Sequence, residues 1–354
     1  MRLENTTPFA ANFTLALDKQ GHEQIVLVTK ATFSFPESRG APTLVAPVQA
    51  PLFEADVFGA DPAWDATVFE TDFAHFRPRC DVLCHARAHA PHGEPATTVD
   101  VGIRLGPWAK KFTVHGSRIW LRGATGHVPS EKRPFLQQDI GYDHAYGGID
   151  PEAENPAMAK TYQENPVGLG YYPNSPNREG LPLAQTSEFG LDAVSPDGGF
   201  PPMALGPVGR SWLPRRSYGG TYDDDWLDNR VPLLPLDFDD RYFQAAAPDQ
   251  QIPYPTGGEP VEVVNLSPEG RLSGEIPRLQ IVVTFERKSG RITQRIANLD
   301  TVLLLPEERR MCLTWRTRIT AERDLFEFAR AVIVERPLDG ATHWPGGVKG
   351  GANG

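Results

Sequence analysis

Cysteine is scarce in this chain: three residues in 354, Cys80, Cys84 and Cys312. That excludes a disulfide-framed scaffold. The core is left to hydrophobic burial, which suffices at this length, since roughly 75% of the unfolded surface of a 300-residue chain is buried on folding. No run of 18 apolar residues exists, so no helix is expected to span a bilayer. Positive charge is in deficit, with 35 Lys+Arg against 45 Asp+Glu and a net charge of −10. Such a chain is poorly matched to nucleic-acid phosphates or an anionic membrane and better suited to basic partners. Neither nucleic acid nor membrane is therefore expected as a partner. The opening residues Met1, Arg2, Leu3 and Glu4 lack the basic-then-apolar design of a secretory signal, and the cytoplasm is the expected location. Sustained helical periodicity is missing too, which excludes a helical bundle.

What the chain has is turns and strands: 33 glycines and 34 prolines set between β-branched and aromatic runs. Residues 25–35 read as a strand whose two faces separate into an apolar and a polar set. Residues 99–105 alternate more cleanly and stop at Gly106-Pro107. Residues 110–116 and 118–123 read as a hairpin through Gly116-Ser117. Near the other end, 261–266 runs into a turn at 267–270, 279–286 pairs with 291–296 across Lys288-Ser289-Gly290, and 301–305 pairs with 311–319. Residues 322–330 read as one short C-terminal helix. Between these parts, residues 151–260 hold 17 of the 34 prolines together with many Tyr, Trp and Phe. A structureless loop of that length is improbable in a compact domain, and the aromatics argue against disorder. The expected fold is mainly β: antiparallel sheets, sandwich or barrel-like, around a long ordered loop-rich middle region. The divisions are 1–135 (β-rich), 136–260 (loop-rich), 261–335 (β-rich) and a flexible tail, 336–354, with 1–335 forming one integrated body.

Motifs for chemistry are few. Cys80, Cys84, His85, His89 and His92 suggest zinc by residue type. However, residues four apart on a strand lie about 13 Å apart, too far to share one ion. No metal and no cofactor is expected. There is no Gly-x-Ser-x-Gly elbow, no phosphate-binding loop and no dinucleotide fingerprint. Cys312 lies within a strand, the usual place of an inert buried thiol. The acidic loops are harder to set aside. Asp223, Asp224 and Asp225 between Tyr222 and Trp226, and Asp237, Asp239 and Asp240 around Phe238, place carboxylates among rings. A glycosidase needs a pair of carboxylates beside aromatic platforms. The same residues also serve as turn caps, with the rings packing.

These loop residues carry a resemblance. Asn5-Thr6-Thr7-Pro8-Phe9, Tyr146-Gly147-Gly148, Asn165-Pro166-Val167-Gly168 and the dense run from Trp212-Leu213-Pro214-Arg215-Arg216 through Tyr218-Gly219-Gly220 to Trp226 recur in order. Pro232-Leu233-Leu234-Pro235 and Ala246-Ala247-Pro248-Asp249-Gln250-Gln251 follow, so the series covers roughly 5–320. The chain resembles the bacterial family called domain of unknown function 2169, adaptors of type VI secretion clusters. One departure is Ala204-Leu205-Gly206-Pro207 where the family pattern reads Gly-Phe-Gly-Pro. The resemblance implies a non-enzymatic adaptor or chaperone that binds a secreted effector protein and helps load it onto the VgrG-type spike or PAAR-like tip. The alternative is a carbohydrate-acting enzyme using Asp residues of the 223–240 loops. Aromatic and Arg side chains dominate interface hot spots. The expected partner-binding residues are Arg215, Tyr218, Tyr222, Trp226, Arg230, Asp249 and Gln250; the alternative is that the rings fasten the loops to the sheet. Tyr146, Gly147, Gly148, Asn165 and Gly168 are expected to form a structural turn.

Overall fold

The computed structural model describes residues 1–38, 40–59, 61, 65–151 and 159–338. Strands dominate, and they fall mainly into three sheets. The largest runs in the order Gln251–Ile252, Cys80–Cys84, Asn298–Leu305, Arg310–Thr320, Glu23–Ser34, Ala10–Leu17, with Leu44–Val45 added beside Glu23–Ser34. Its one parallel pair is Cys80–Cys84 with Asn298–Leu305. A five-stranded antiparallel sheet runs Thr186–Glu188, Trp108–His115, Thr98–Leu105, Pro260–Val264, Arg271–Glu275. A four-stranded sheet runs Arg2–Asn5, Phe328–Pro337, Leu279–Arg287, Ile292–Ile296. The mainly β, largely antiparallel reading stands.

One hydrophobic cluster draws on all three sheets, with Leu27 and Phe33 from the first, Ile103 and Phe112 from the second, and Phe285 and Phe328 from the third. Each such side chain contributes about 1.5–3 kcal/mol when fully buried. Thr98–Leu105 shows why alternation is readable: Val99, Val101, Ile103 and Leu105 face the core, while Thr98, Asp100 and Arg104 face out. Glu23–Ser34 departs from the expected half-buried strand. Ile25, Leu27, Ala31 and Phe33 meet the core, but Val26, Val28, Lys30 and Thr32 are buried as well. The chain that follows Leu44–Val45 covers this second face: the Gln49 side chain bonds the Thr32 backbone, and Phe53 lies under the Lys30 ammonium.

Four local readings are corrected. The hairpin around 110–123 is formed instead by Thr98–Leu105 and Trp108–His115 through Gly106-Pro107, while Trp120–Gly123 pairs with Gly126–Pro129. Gly116 is small for another reason: a Cβ there would stand 1.8 Å from the Arg133 carbonyl oxygen. The C-terminal helix over 322–330 is a short 3-10 turn, Leu325–Glu327, followed by the strand Phe328–Pro337. Non-local pairing with Leu279–Arg287 overrides the local helical spacing, and the Asp324 carboxylate caps the turn through the Phe326 N–H. The single α-helix among the described residues is Asp224–Asn229, in the middle region. The run 80–90 is two strands, Cys80–Cys84 and Arg87–His89. Within the expected tail, Arg336 and Pro337 still pair with Gln280 and Leu279, and residues 339–354 lie outside the described set.

Candidate functional site

The polar face of the large sheet carries charges that the alternation pattern did not flag. Lys30 donates to Asp72 at 2.8 Å beneath the Phe53 ring. Arg316 bonds Asp300 at 2.6 Å and the carbonyls of Asp72 and Ala74. Arg77 lies 3.4 Å from Asp81, whose carboxylate also accepts from the Gln244 side chain and the Ala245 N–H. Burial pushes the Asp81 carboxyl above its usual range despite these donors. Charges set among apolar strand residues were the available signal, but several of their partners, such as Asp72 for Lys30 and Gln244 for Asp81, lie 42 and 163 residues away. Together these groups join sheet and loops through satisfied polar pairs, as buried charge requires.

The expected partner-binding residues divide into two sets. Arg215 is buried and holds both Glu70 oxygens at 2.5 Å while donating to the Val208 and Tyr242 carbonyls. Gln250 is fully buried, accepts from Lys110 at 2.8 Å and donates to the Val82 carbonyl. Asp249 is exposed but engaged: its carboxylate pairs with Lys110 at 2.9 Å and its carbonyl accepts from Trp108 Nε1 at 2.6 Å. Asp249 and Gln250 fasten a loop to two sheets, and Arg215 ties loops to one another. Tyr218 packs under the Arg241 guanidinium, Trp226 donates to the Leu233 carbonyl, and Arg230 donates to the Lys19 and Leu234 carbonyls. Tyr222 is 57% exposed and meets Trp226 edge-on.

The turn residues come together. Gly147 and Gly148 adopt φ of 152° and 110°, and the Asn165 side chain donates to the Tyr142 and Tyr146 carbonyls. A Cβ at Gly147 would stand 2.2 Å from the Asn165 carbonyl oxygen, and one at Gly168 would stand 2.5 Å from that of Ala145. Tyr146 is buried, with its hydroxyl donating to the Ser195 carbonyl and accepting from the Gly198 N–H. Ala204 and Leu205, where the chain departs from the family pattern, are both buried, so that change is one of packing.

Four carboxylates of the acidic loops are spent locally. Asp223 caps the helix through the Trp226 N–H, and Asp225 accepts from Asn229. Asp237 takes the Thr221 N–H and hydroxyl, and Asp239 pairs with Arg241. On the strand Cys80–Cys84, burial pushes both thiols up, away from the thiolate a metal would need.

One buried pair has the residue types of a nucleophile. His115 Nε2 lies 2.7 Å from Ser187 Oγ and 3.8 Å from Asp192. The Ser187 hydroxyl donates to the Leu191 carbonyl at 2.7 Å, so the imidazole donates to serine rather than taking its proton. Asp192 approaches the same ring nitrogen and is clamped by Arg118, unlike the opposite-nitrogen arrangement of a catalytic triad. Burial first, then the Lys132 charge, pulls the His115 pKa down to about 4. The unfolded chain, with its histidine near 6.5, therefore takes up this proton first as pH falls. Stability is expected to be full above pH 6.5 and to drop between 6.5 and 4, by on the order of 2–3 kcal/mol. Urea midpoints across that window check this, and His115→Gln should flatten the slope.

Exposed apolar side chains are spread over the surface, and two groups of them adjoin one another. Ala10–Leu17 is an edge of the largest sheet, contains no charged residue, and exposes Leu15 (54%) and Leu17 (42%). Residues 222–236 expose Tyr222, Leu227 (60%), Val231 and Leu236 (73%) among aspartates. The 18–22 turn links them: Arg230 donates to the Lys19 carbonyl, and the Leu233 side chain approaches Gly21.

A family model described as "uncharacterized protein conserved in bacteria", domain of unknown function 2169, matches residues 20–316. No curated protein and no solved structure matches the chain.

Proposed function

Because the chain belongs to the domain of unknown function 2169 family, whose members the sequence resemblance links to type VI secretion, we propose that it is a non-enzymatic adaptor. In this reading it binds a secreted effector protein in the cytoplasm and helps load it onto the VgrG-type spike or PAAR-like tip. The observation that carries the reading is the pair of exposed stretches joined through the 18–22 turn. Edge strands of soluble proteins are normally blunted by lysine, proline or bulges. Ala10–Leu17 has no such protection over eight residues. A strand added by a partner would satisfy its backbone and cover Leu15 and Leu17, the mode called β-augmentation.

The 222–236 stretch supplies the second contact. Its aspartates stand beside exposed Leu227, Val231 and Leu236, which suits a partner segment mixing basic and apolar side chains. Asp224 and Asp228 lie one turn apart on the helix, and like charges so placed are locally unfavourable. A cationic partner relieves that repulsion. The carbohydrate-acting alternative has less support, because Asp223, Asp237 and Asp239 are committed to backbone or Arg241 contacts.

Deletion of the gene in its host tests the function. The expected result is loss of soluble effector and of its secretion, restored by the intact chain. Unchanged effector level and secretion would contradict the adaptor reading.

A further inference from the structure

Between the segment carrying His75, Phe76 and Arg77 and the strands Asn298–Leu305 and Arg310–Thr320 lies a cavity of about 170 Å³. Its lining is cationic, with Arg77, Arg316 and Arg318 beside the carboxylate of Asp300 and the side chains of His75 and Asn298. Two of the three guanidiniums are matched: Arg77 pairs with Asp81 at 3.4 Å and Arg316 with Asp300 at 2.6 Å. Arg318 is different. Its guanidinium lies 4.1 Å from the centre of the Phe76 ring, and among the described residues it has no carboxylate partner. The cross-strand register places Asn298 directly opposite Arg316, on the sheet face that Arg318 shares two residues further along. Burial, followed by the Arg316 charge, lowers the His75 pKa, so the imidazole adds no competing cation; Asp240 opposes this without forming an ion pair.

We propose that this cavity is a carboxylate-binding site, with the ligand held by Arg318 against the Phe76 ring. One unmatched cation calls for one negative charge. A planar guanidinium presents paired N–H donors that fit a carboxylate with both oxygens, a match that an ammonium group cannot reproduce. Stacking on Phe76 holds the guanidinium plane in place before the ligand arrives. The carboxylate is that of a small organic acid or of a peptide chain terminus.

Titration of the full chain, followed by NMR of the arginine Nε–Hε resonances at constant ionic strength, tests this. The probes are acetate, inorganic phosphate, acetyl-Ala-Ala with a free carboxyl, and its amidated twin, with chloride as reference. The expected result is a saturable displacement of the Arg318 resonance by a free carboxylate and none by the amide. Saturation with acetate assigns the site to small acids, and saturation with the peptide alone assigns it to chain termini. Other resonances near the cavity should report at least tenfold weaker binding in Arg318→Gln. Arg318→Lys, which keeps the charge without the fork, and Phe76→Leu should weaken binding while preserving the fold, and they serve if Arg318→Gln does not fold. A linear drift matching chloride, an undiminished response in the folded variants, or stronger binding of inorganic phosphate than of acetate would overturn the proposal.

Discussion

Replacing Glu70 with glutamine is expected to destabilise the protein by about 3–5 kcal/mol, the usual cost of removing one partner from a buried ion pair. The Glu70 carboxylate holds Arg215 with both oxygens at 2.5 Å and Arg210 at 3.1 Å, and Arg215 is as deeply buried as Glu70. An amide keeps the shape but leaves the Arg215 charge facing carbonyls alone. Those carbonyls belong to Val208 and Tyr242, so the expected damage is loosening of the loops that carry the helix Asp224–Asn229. Urea denaturation gives the magnitude, and limited proteolysis should show faster cleavage within 208–245. A paired replacement, Glu70→Leu with Arg215→Met, should recover much of the loss, since apolar pairs often substitute well for buried ion pairs. A loss under 1 kcal/mol in Glu70→Gln would mean the network does not hold these loops.

The second large effect is on binding. Leu15→Lys combined with Leu17→Lys is expected to weaken effector binding at least 100-fold while changing stability by no more than about 0.5 kcal/mol per site. Both side chains are exposed, so the folded protein alone loses little. In a complex, covering the exposed half of each leucine would contribute about 0.7–1.5 kcal/mol, and lysine would bring a charge into the contact. A hundredfold loss corresponds to about 2.8 kcal/mol, within reach of the two together. Leu227→Asp should weaken binding less, because it removes one side chain and adds charge to a stretch that is already acidic. Isothermal titration of purified effector into each variant separates these outcomes, and full affinity in the double lysine variant would remove the edge strand from the interface.

The fold was legible wherever local chemistry and tertiary environment agree. Val99, Val101, Ile103 and Leu105 alternate because one face meets the core, and Gly290 marks the turn between Leu279–Arg287 and Ile292–Ile296. Where long-range pairing decides, the reading failed. Leu325, Phe326 and Phe328 imitate a helical face, yet Phe326 is 80% exposed and Phe328 is buried as the start of a strand. The site was legible only in part. Arg215 and Gln250 stand in the runs that carry the family resemblance, but they are spent within the protein. Their partners Glu70 and Lys110 lie 145 and 140 residues away, and no local pattern announces them. The edge position of Ala10–Leu17 follows from sheet order and was invisible in its composition. Its absence of charge was visible and gained meaning once the edge was known.

The central claim is that the face formed by Ala10–Leu17 and residues 222–236 receives the effector. Hydrogen–deuterium exchange of the full chain, alone and with the purified effector that the proposal assigns to it, tests it most directly. The account predicts slower exchange in the backbone amides of 10–17 and 222–236 in the complex. A complex in which both stretches exchange as fast as in the free protein, with protection on another face, would contradict it.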